Sequence, residues 1–145
     1  MSNLCYTKEQ IQRLFSTFPF VTDNCLSIEH FEPDDVSLRM DIQPRHLNQY
    51  HTLHGGYLLL LADTAAGAAA LTDGRTYVTQ SQSFAFLRAV RGKTAHAAAR
   101  VISRGKTVVV VRVSVTDENG VLVGDGSFNM YAAQSPKASA QKSPE

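Results

Sequence analysis

Cysteine is scarce in this sequence: Cys5 and Cys25 are the only two. They are too few and too separated for a disulfide framework or a zinc site, so a reducing, cytoplasmic setting is the expectation. A surplus of one charge is missing as well. With 14 Lys+Arg against 13 Asp+Glu the formal charge is +1, so no overall field draws in a polyanion such as DNA, and an anionic ligand must meet local basic groups. No apolar run reaches the roughly 20 residues that span a bilayer. The most apolar stretch, residues 57–71, is interrupted by Asp63 and Thr64 and reads as a buried helix. The opening MSNLCYTKEQ has no basic flank ahead of an apolar core, so export is not indicated. There is no internal repeat. Ser81 and Ser83 lie outside any Gly-x-Ser-x-Gly elbow, which argues against a serine hydrolase. His46, His51 and His54 crowd one stretch, but catalytic zinc needs three converging ligands and the loop spacing promises none. No metal and no cofactor are expected.

What is present fits one domain, since 145 residues can bury most of the apolar surface of a single core. Thr7 and Gln10 have capping-box spacing, and Ile11, Leu14, Phe15 and Phe18 follow at helical intervals, so a short amphipathic helix is predicted before Pro19. Residues 25–31 and 36–42 alternate apolar and polar around Glu32-Pro33-Asp34-Asp35, the pattern of a hairpin. Gly55-Gly56 leads into the apolar helix, which should stop near Thr72-Asp73-Gly74, where glycine takes a left-handed cap. Strands are predicted at residues 76–87, 94–103, 107–116 and 121–131. Asn119-Gly120 is a two-residue hairpin signal pairing the last two antiparallel. The order implies an α+β domain over residues 1–131 with one antiparallel sheet. Residues 132–145, rich in Ser, Ala, Lys, Gln and Pro, are expected to form a mobile tail. A helix so apolar around its circumference needs cover on several sides, and a second copy of the chain is a candidate for part of it.

Asp63 stands between Leu58-Leu59-Leu60-Leu61-Ala62 and Ala65-Ala66-Gly67-Ala68-Ala69-Ala70, where an ionised carboxylate loses several kcal/mol of hydration unless partnered. Either it faces a solvent channel with a structural role, or it is a base or nucleophile sharpened by partial desolvation toward an electrophilic carbonyl. Gly55-Gly56 presents backbone N–H groups at the positive end of the helix dipole, a potential oxyanion hole or simply a tight turn. Seven residues, about 10.5 Å of helix, separate Gly56 from Asp63. That is too far for both to touch one carbonyl, whereas two antiparallel helices across a two-fold axis would bring them together.

The run Asn48-Gln49-Tyr50-His51-Thr52-Leu53-His54-Gly55-Gly56, followed by Leu61-Ala62-Asp63-Thr64-Ala65, resembles the hotdog-fold thioesterases. The likeness is to the branch holding the phenylacetate-pathway thioesterases and the acyl-CoA thioesterases, and it extends over residues 18–131. It implies a sheet wrapped around the long helix, in homodimers or dimer-of-dimers tetramers. It implies an acyl-CoA thioester hydrolase with Asp63 as nucleophile or general base and Gly55, with Gly56 beside it, as oxyanion donor. Asn48 and His54 support the site and the attacking water. A hydroxyl from the following strand is Thr79 if the strand is anchored on Phe86-Leu87-Arg88, or Ser81 if counted ungapped from Asp63. Ser81, Phe86, Leu87 and Arg88 are carried over as substrate contacts, and Arg104-Gly105-Lys106 as the basic turn beside the CoA nucleotide, with Arg91 a further phosphate candidate. The sequence departs from the pattern at Gln49, where glycine is common, and at Ala89, where proline is. Tyr57, Leu58 and Ala62 suggest an apolar acyl slot. A hotdog dehydratase or hydratase and a non-catalytic acyl-CoA-binding module are the alternative readings; neither nucleic acid nor membrane is expected as a partner.

Overall fold

A computed structural model describes residues 5–133 of the chain. The first helix, α1 (Lys8–Phe15), starts where its capping box dictates: Thr7 Oγ1 accepts from the Gln10 N–H, and Gln10 Oε1 accepts from the Thr7 N–H. Its apolar stripe buries Ile11 and Phe15. Pro19, read from sequence as a stop, also starts a second helix, α2 (Pro19–Asp23), because proline suits the first helical position.

Strands β1 (Leu26–Glu32) and β2 (Asp35–Asp41) form the predicted antiparallel hairpin. The long helix α3 (Gly55–Ala70) continues through a 3-10 turn, Leu71–Asp73, and ends at Gly74 with φ 86°. Strands β3 (Thr76–Phe86), β4 (Thr94–Arg104), β5 (Val108–Asp117) and β6 (Leu122–Ala133) complete one six-stranded antiparallel sheet in the order β1-β2-β4-β5-β6-β3. Two expectations need correction. Only Gly120 takes a positive φ, 78°, at the β5–β6 turn. The Asp117 N–H pairs with the Val121 carbonyl at 3.0 Å, so the loop has three residues, and Asp117 Oδ1 braces it by accepting from the N–H groups of Asn119 and Val121. Ala132 and Ala133, assigned to a tail, belong to β6 and pair with Tyr77 and Thr76. Residues 134–145 lie outside the described residues.

The sheet packs one face on α3, which touches β2, β3, β4, β5 and β6. Alternation supplies that face: Val36, Leu38 and Met40 from β2, Ala95, Ala97 and Ala99 from β4, Val109, Val111, Val113 and Val115 from β5, Phe128 and Met130 from β6, all buried. Small residues on α3, among them Ala62, Ala65, Ala66 and Ala69, let the helix sit close to the alanines of β4. The helix and its 3-10 turn, Gly55–Asp73, are long and apolar enough to cross a membrane by composition, but half of that window is buried in the fold. One stripe of α3 stays partly open: Leu60, Asp63, Thr64 and Gly67, at spacings of three and four residues. Beside it runs β3, an edge strand exposed along most of its length.

Candidate active site

Asp63 falls on the open stripe because its neighbours Ala62, Ala65 and Ala66 take the buried positions of the helix. Its carboxylate is met from β3, where Thr79 Oγ1 donates to Asp63 Oδ1 at 2.6 Å. A bulge decides which hydroxyl arrives. Thr79 lies opposite Met130 and Ser81 opposite Asn129, so β3 carries one extra residue between them. Met130 is buried beneath α3, hence Thr79 faces the helix. Ser81 is turned to the far face with Asn129, whose Nδ2–H donates to Ser81 Oγ at 2.8 Å. Ser81 is therefore not brought to Asp63 within one chain. Asp63 and Thr79 open on a cavity of about 820 Å³ whose walls are mostly apolar.

At the other end of the stripe His54 caps the helix, its Nδ1 accepting from the Gly56 N–H at 2.9 Å. That bond fixes the tautomer with the proton on Nε2 and takes the Gly56 donor out of play. The Gly55 N–H, at the first helical position, has no partner among the described residues. Gly55 borders a second cavity of about 310 Å³, with Asn48, Leu58, Phe86, Leu87 and Arg88 around it. Asn48 also shapes the loop before the helix: its Oδ1 accepts from the Tyr50 and Thr52 N–H groups, and its Nδ2–H donates to Thr52 Oγ1 at 2.9 Å. Asp63 and Gly55 thus face separate cavities of one chain.

The sequence model of the thioesterase superfamily matches residues 50–124, from the loop before α3 into β6. A Haemophilus influenzae protein named "Putative esterase" is 30% identical over 118 residues, which is 79% of this chain and 85% of that protein. The chain belongs to the thioesterase superfamily. The fold agrees. The PaaI protein of E. coli, from the phenylacetic acid degradation operon, superposes with a TM-score of 0.83 at 21% identity, over 88% of this chain and 93% of its own. A Streptococcus mutans protein solved bound to acetyl CoA superposes with a TM-score of 0.72 at 27% identity, over 76% of this chain and 90% of its own. The architecture is the hotdog fold, a sheet packed around one long helix.

Within this superfamily member the basic groups divide. Arg88 and Arg91 are exposed, and so are Gly105 and Lys106. Arg104, expected beside a CoA phosphate, is committed elsewhere. Its side chain is only 19% exposed and pairs with Asp34 and with Asp73, both at 2.7 Å. It also donates to the Ala69 and Ala70 carbonyls, so it caps the C-terminal end of α3. Burial disfavours its charge, but the Asp34 and Asp73 carboxylates outweigh that and raise its pKa. Burial likewise works to raise the Asp73 pKa, yet hydrogen bonds from Tyr77 and Arg75 and the Arg104 charge hold it below the ordinary carboxylate value. Tyr77, partly buried and donating to Asp73 at 2.7 Å, is pushed up to about 12.

The three histidines have different surroundings, although His46 and His54 both meet the Tyr57 ring edge-on. His46 is buried, its Nδ1 accepting from the Gln43 N–H and its Nε2 facing Asn24 Oδ1 at 3.2 Å. Burial, and then the nearby Arg45 charge, lower its pKa. His51 is exposed at φ 60° in the loop that Asn48 closes. Sequence reasoning missed Leu14, Phe18 and Phe20, which wall the cavity at Asp63. The helical spacing of Leu14 and Phe18 was legible, but it indicated only an amphipathic helix, and Phe20, beyond Pro19, was not part of that pattern.

Proposed function

We propose that the protein hydrolyses acyl-CoA thioesters at a site shared by two copies of the chain. One observation carries this reading: Asp63, aligned by Thr79, and the open Gly55 N–H lie on one helix but face different cavities. The eight residues between them span about 12 Å, too far to act on one carbonyl from one chain. A two-fold axis beside the open stripe sets the Gly55 of one copy against the Asp63 of its partner. The edge strand β3 favours such pairing, since it leaves backbone groups free along an edge that also exposes Val78 and Phe86. Two β3 strands side by side would make a continuous sheet, in a homodimer or a dimer of dimers.

In this site the thioester carbonyl oxygen accepts from the Gly55 N–H as negative charge builds on it. Asp63 either takes a proton from the attacking water or adds to the carbonyl itself, with water cleaving the resulting anhydride. The C–S bond breaks, CoA leaves as the thiol after gaining a proton, and the free acid remains. His54, its proton held on Nε2, serves as a donor near the helix N-terminus rather than as a base. Asn48 keeps the loop in place, and Phe86, Leu87 and Arg88 border the thioester arm of the substrate. Exposed Arg88 and Lys106 serve the CoA phosphates. The acetyl CoA bound to the Streptococcus mutans relative supports this ligand class.

The test is release of free thiol from a panel of acyl-CoAs by the purified protein, with Asp63→Asn as the control. Folded protein that releases no CoA from any ester, while still binding them, would move the chain to a non-catalytic role.

A further inference from the structure

Gly67 lies one turn beyond Asp63 on the open stripe of α3, and the packing of the chain does not call for a glycine there. A Cβ at that position would find Met130 Cε at 3.8 Å as its nearest neighbour, an ordinary contact. Glycine is also among the poorest residues for the interior of a helix. What Gly67 borders is the cavity of about 820 Å³ that Leu60, Asp63 and Thr79 also line. That cavity follows α3 as far as Leu71, and Leu14, Phe18 and Phe20 form its outer wall. Phe18 and Phe20 stack with ring centroids 5.7 Å apart. Leu14 and Phe20 are 40% and 46% exposed, large apolar surfaces left uncovered beside the acid.

Eight residues of helix separate Asp63 from Leu71, a trough of about 12 Å. A zigzag of carbon–carbon bonds near 1.5 Å covers that length with on the order of ten carbons. An acetyl group would leave most of the trough empty. Arg75, at the far end, is tied to Asp73 and to the Gly105 and Lys106 carbonyls, so among the described residues lining the cavity no free cation waits there for a charged tail.

We infer that this cavity is the slot for a straight medium-chain acyl group, and that Gly67 sets the usable length by keeping the floor open one turn past the acid. The inference rests on the hydrolase reading and names the substrate class for it. A larger side chain at position 67 stands in the path of the chain beyond its first few carbons, so it penalises long esters and spares short ones.

The experiment compares wild type, Gly67→Leu and Leu14→Trp on acetyl-, butyryl-, octanoyl- and decanoyl-CoA by thiol release, with sedimentation to follow assembly. Wild type is expected to have its highest kcat/KM on the octanoyl or decanoyl ester. Gly67→Leu should lower the decanoyl-to-butyryl ratio of kcat/KM by about tenfold or more. Leu14→Trp, which narrows the slot from the opposite wall, should lower the same ratio without touching α3. An unchanged ratio in both variants overturns the slot. So does a change of assembly in Gly67→Leu with an unchanged ratio in Leu14→Trp, which would make the glycine a contact between copies. A flat chain-length profile in active wild type removes the slot alone, whereas no turnover of any ester removes the hydrolase reading with it.

Discussion

Thr79 Oγ1 donates to Asp63 Oδ1 at 2.6 Å, tying the exposed edge strand β3 to the one acidic residue of α3. The bond fixes the rotation of the carboxylate and occupies one oxygen, leaving Oδ2 for water or substrate. Asp63→Asn keeps a carbonyl oxygen for Thr79 but is neither basic nor nucleophilic. Its kcat is expected to fall by about two orders of magnitude or more with CoA-ester binding and circular dichroism unchanged. Thr79→Val should lose about tenfold in kcat, the scale of one hydrogen bond to a charged group. Wild-type turnover in Asp63→Asn would rule out the assignment.

Arg104 and Lys106 are neighbours in sequence with opposite expected effects. Arg104→Ala strips two carboxylates and two helix-end carbonyls of a donor, and should lower unfolding stability by about 2–3 kcal/mol. Lys106 is exposed, so Lys106→Ala should leave the denaturation midpoint alone and raise KM for CoA esters more than it lowers kcat. Denaturant unfolding set beside steady-state kinetics separates the two. A pure KM effect for Arg104 would return it to the ligand.

The same cluster predicts a loss of stability in alkali. The Tyr77 pKa is raised from 10.0 to about 12, by burial first and then by its bond to Asp73. Folding therefore favours the neutral phenol. That contribution is complete below pH 10.0 and disappears as pH rises through about 12. Wild type should lose more stability than Tyr77→Phe across this window, as read from unfolding midpoints. Equal slopes for the two proteins would remove Tyr77 as the cause.

His54 gives a sharper test of the helix cap. Its Nδ1 accepts the Gly56 N–H, a place that the Oδ1 of asparagine can fill with the same number of bonds from the backbone. His54→Ala should cost about 1 kcal/mol of stability and His54→Asn much less. Loss of activity in His54→Asn at unchanged stability would show that the Nε2–H donor matters to the reaction itself.

Much of this was legible in the sequence because local signals agreed with the fold. The Thr7 capping box, the β1–β2 alternation and Gly74 at the end of α3 each fixed a boundary by chemistry within a few residues. Choosing between Thr79 and Ser81 was not possible from sequence. In a regular strand both point the same way, and the bulge that separates them arises from pairing with β6. Arg104 was misread for a related reason: Asp34 and Asp73 lie 70 and 31 residues away in sequence, so only the tertiary fold exposes the claim they make on it.

The shared site is open to a complementation test that the geometry of Gly55 makes practical. Gly55 holds the first position of α3, where proline is well accepted. His54, before it, has φ −61° and ψ 135°, a conformation that a following proline requires. The ring would press on Phe86 Cε1, which an added Cβ meets at 3.3 Å, the flexible edge of an exposed side chain. Gly55→Pro should therefore fold while deleting the N–H assigned to the oxyanion. Alone it should be as inactive as Asp63→Asn, because every site in either homodimer lacks one component. In a heterodimer of the two, one site joins the Asp63 of the Gly55→Pro chain to the Gly55 N–H of the Asp63→Asn chain. Co-expressed and doubly tagged heterodimers should recover up to about half of wild-type activity per dimer, since one site of two is whole. If purified heterodimers stay at the level of the parents while circular dichroism and sizing match wild type, acid and donor do not meet across two chains. The separation along α3 then leaves Asp63 without an oxyanion partner at its own cavity, and the donor must come from another group near Thr79.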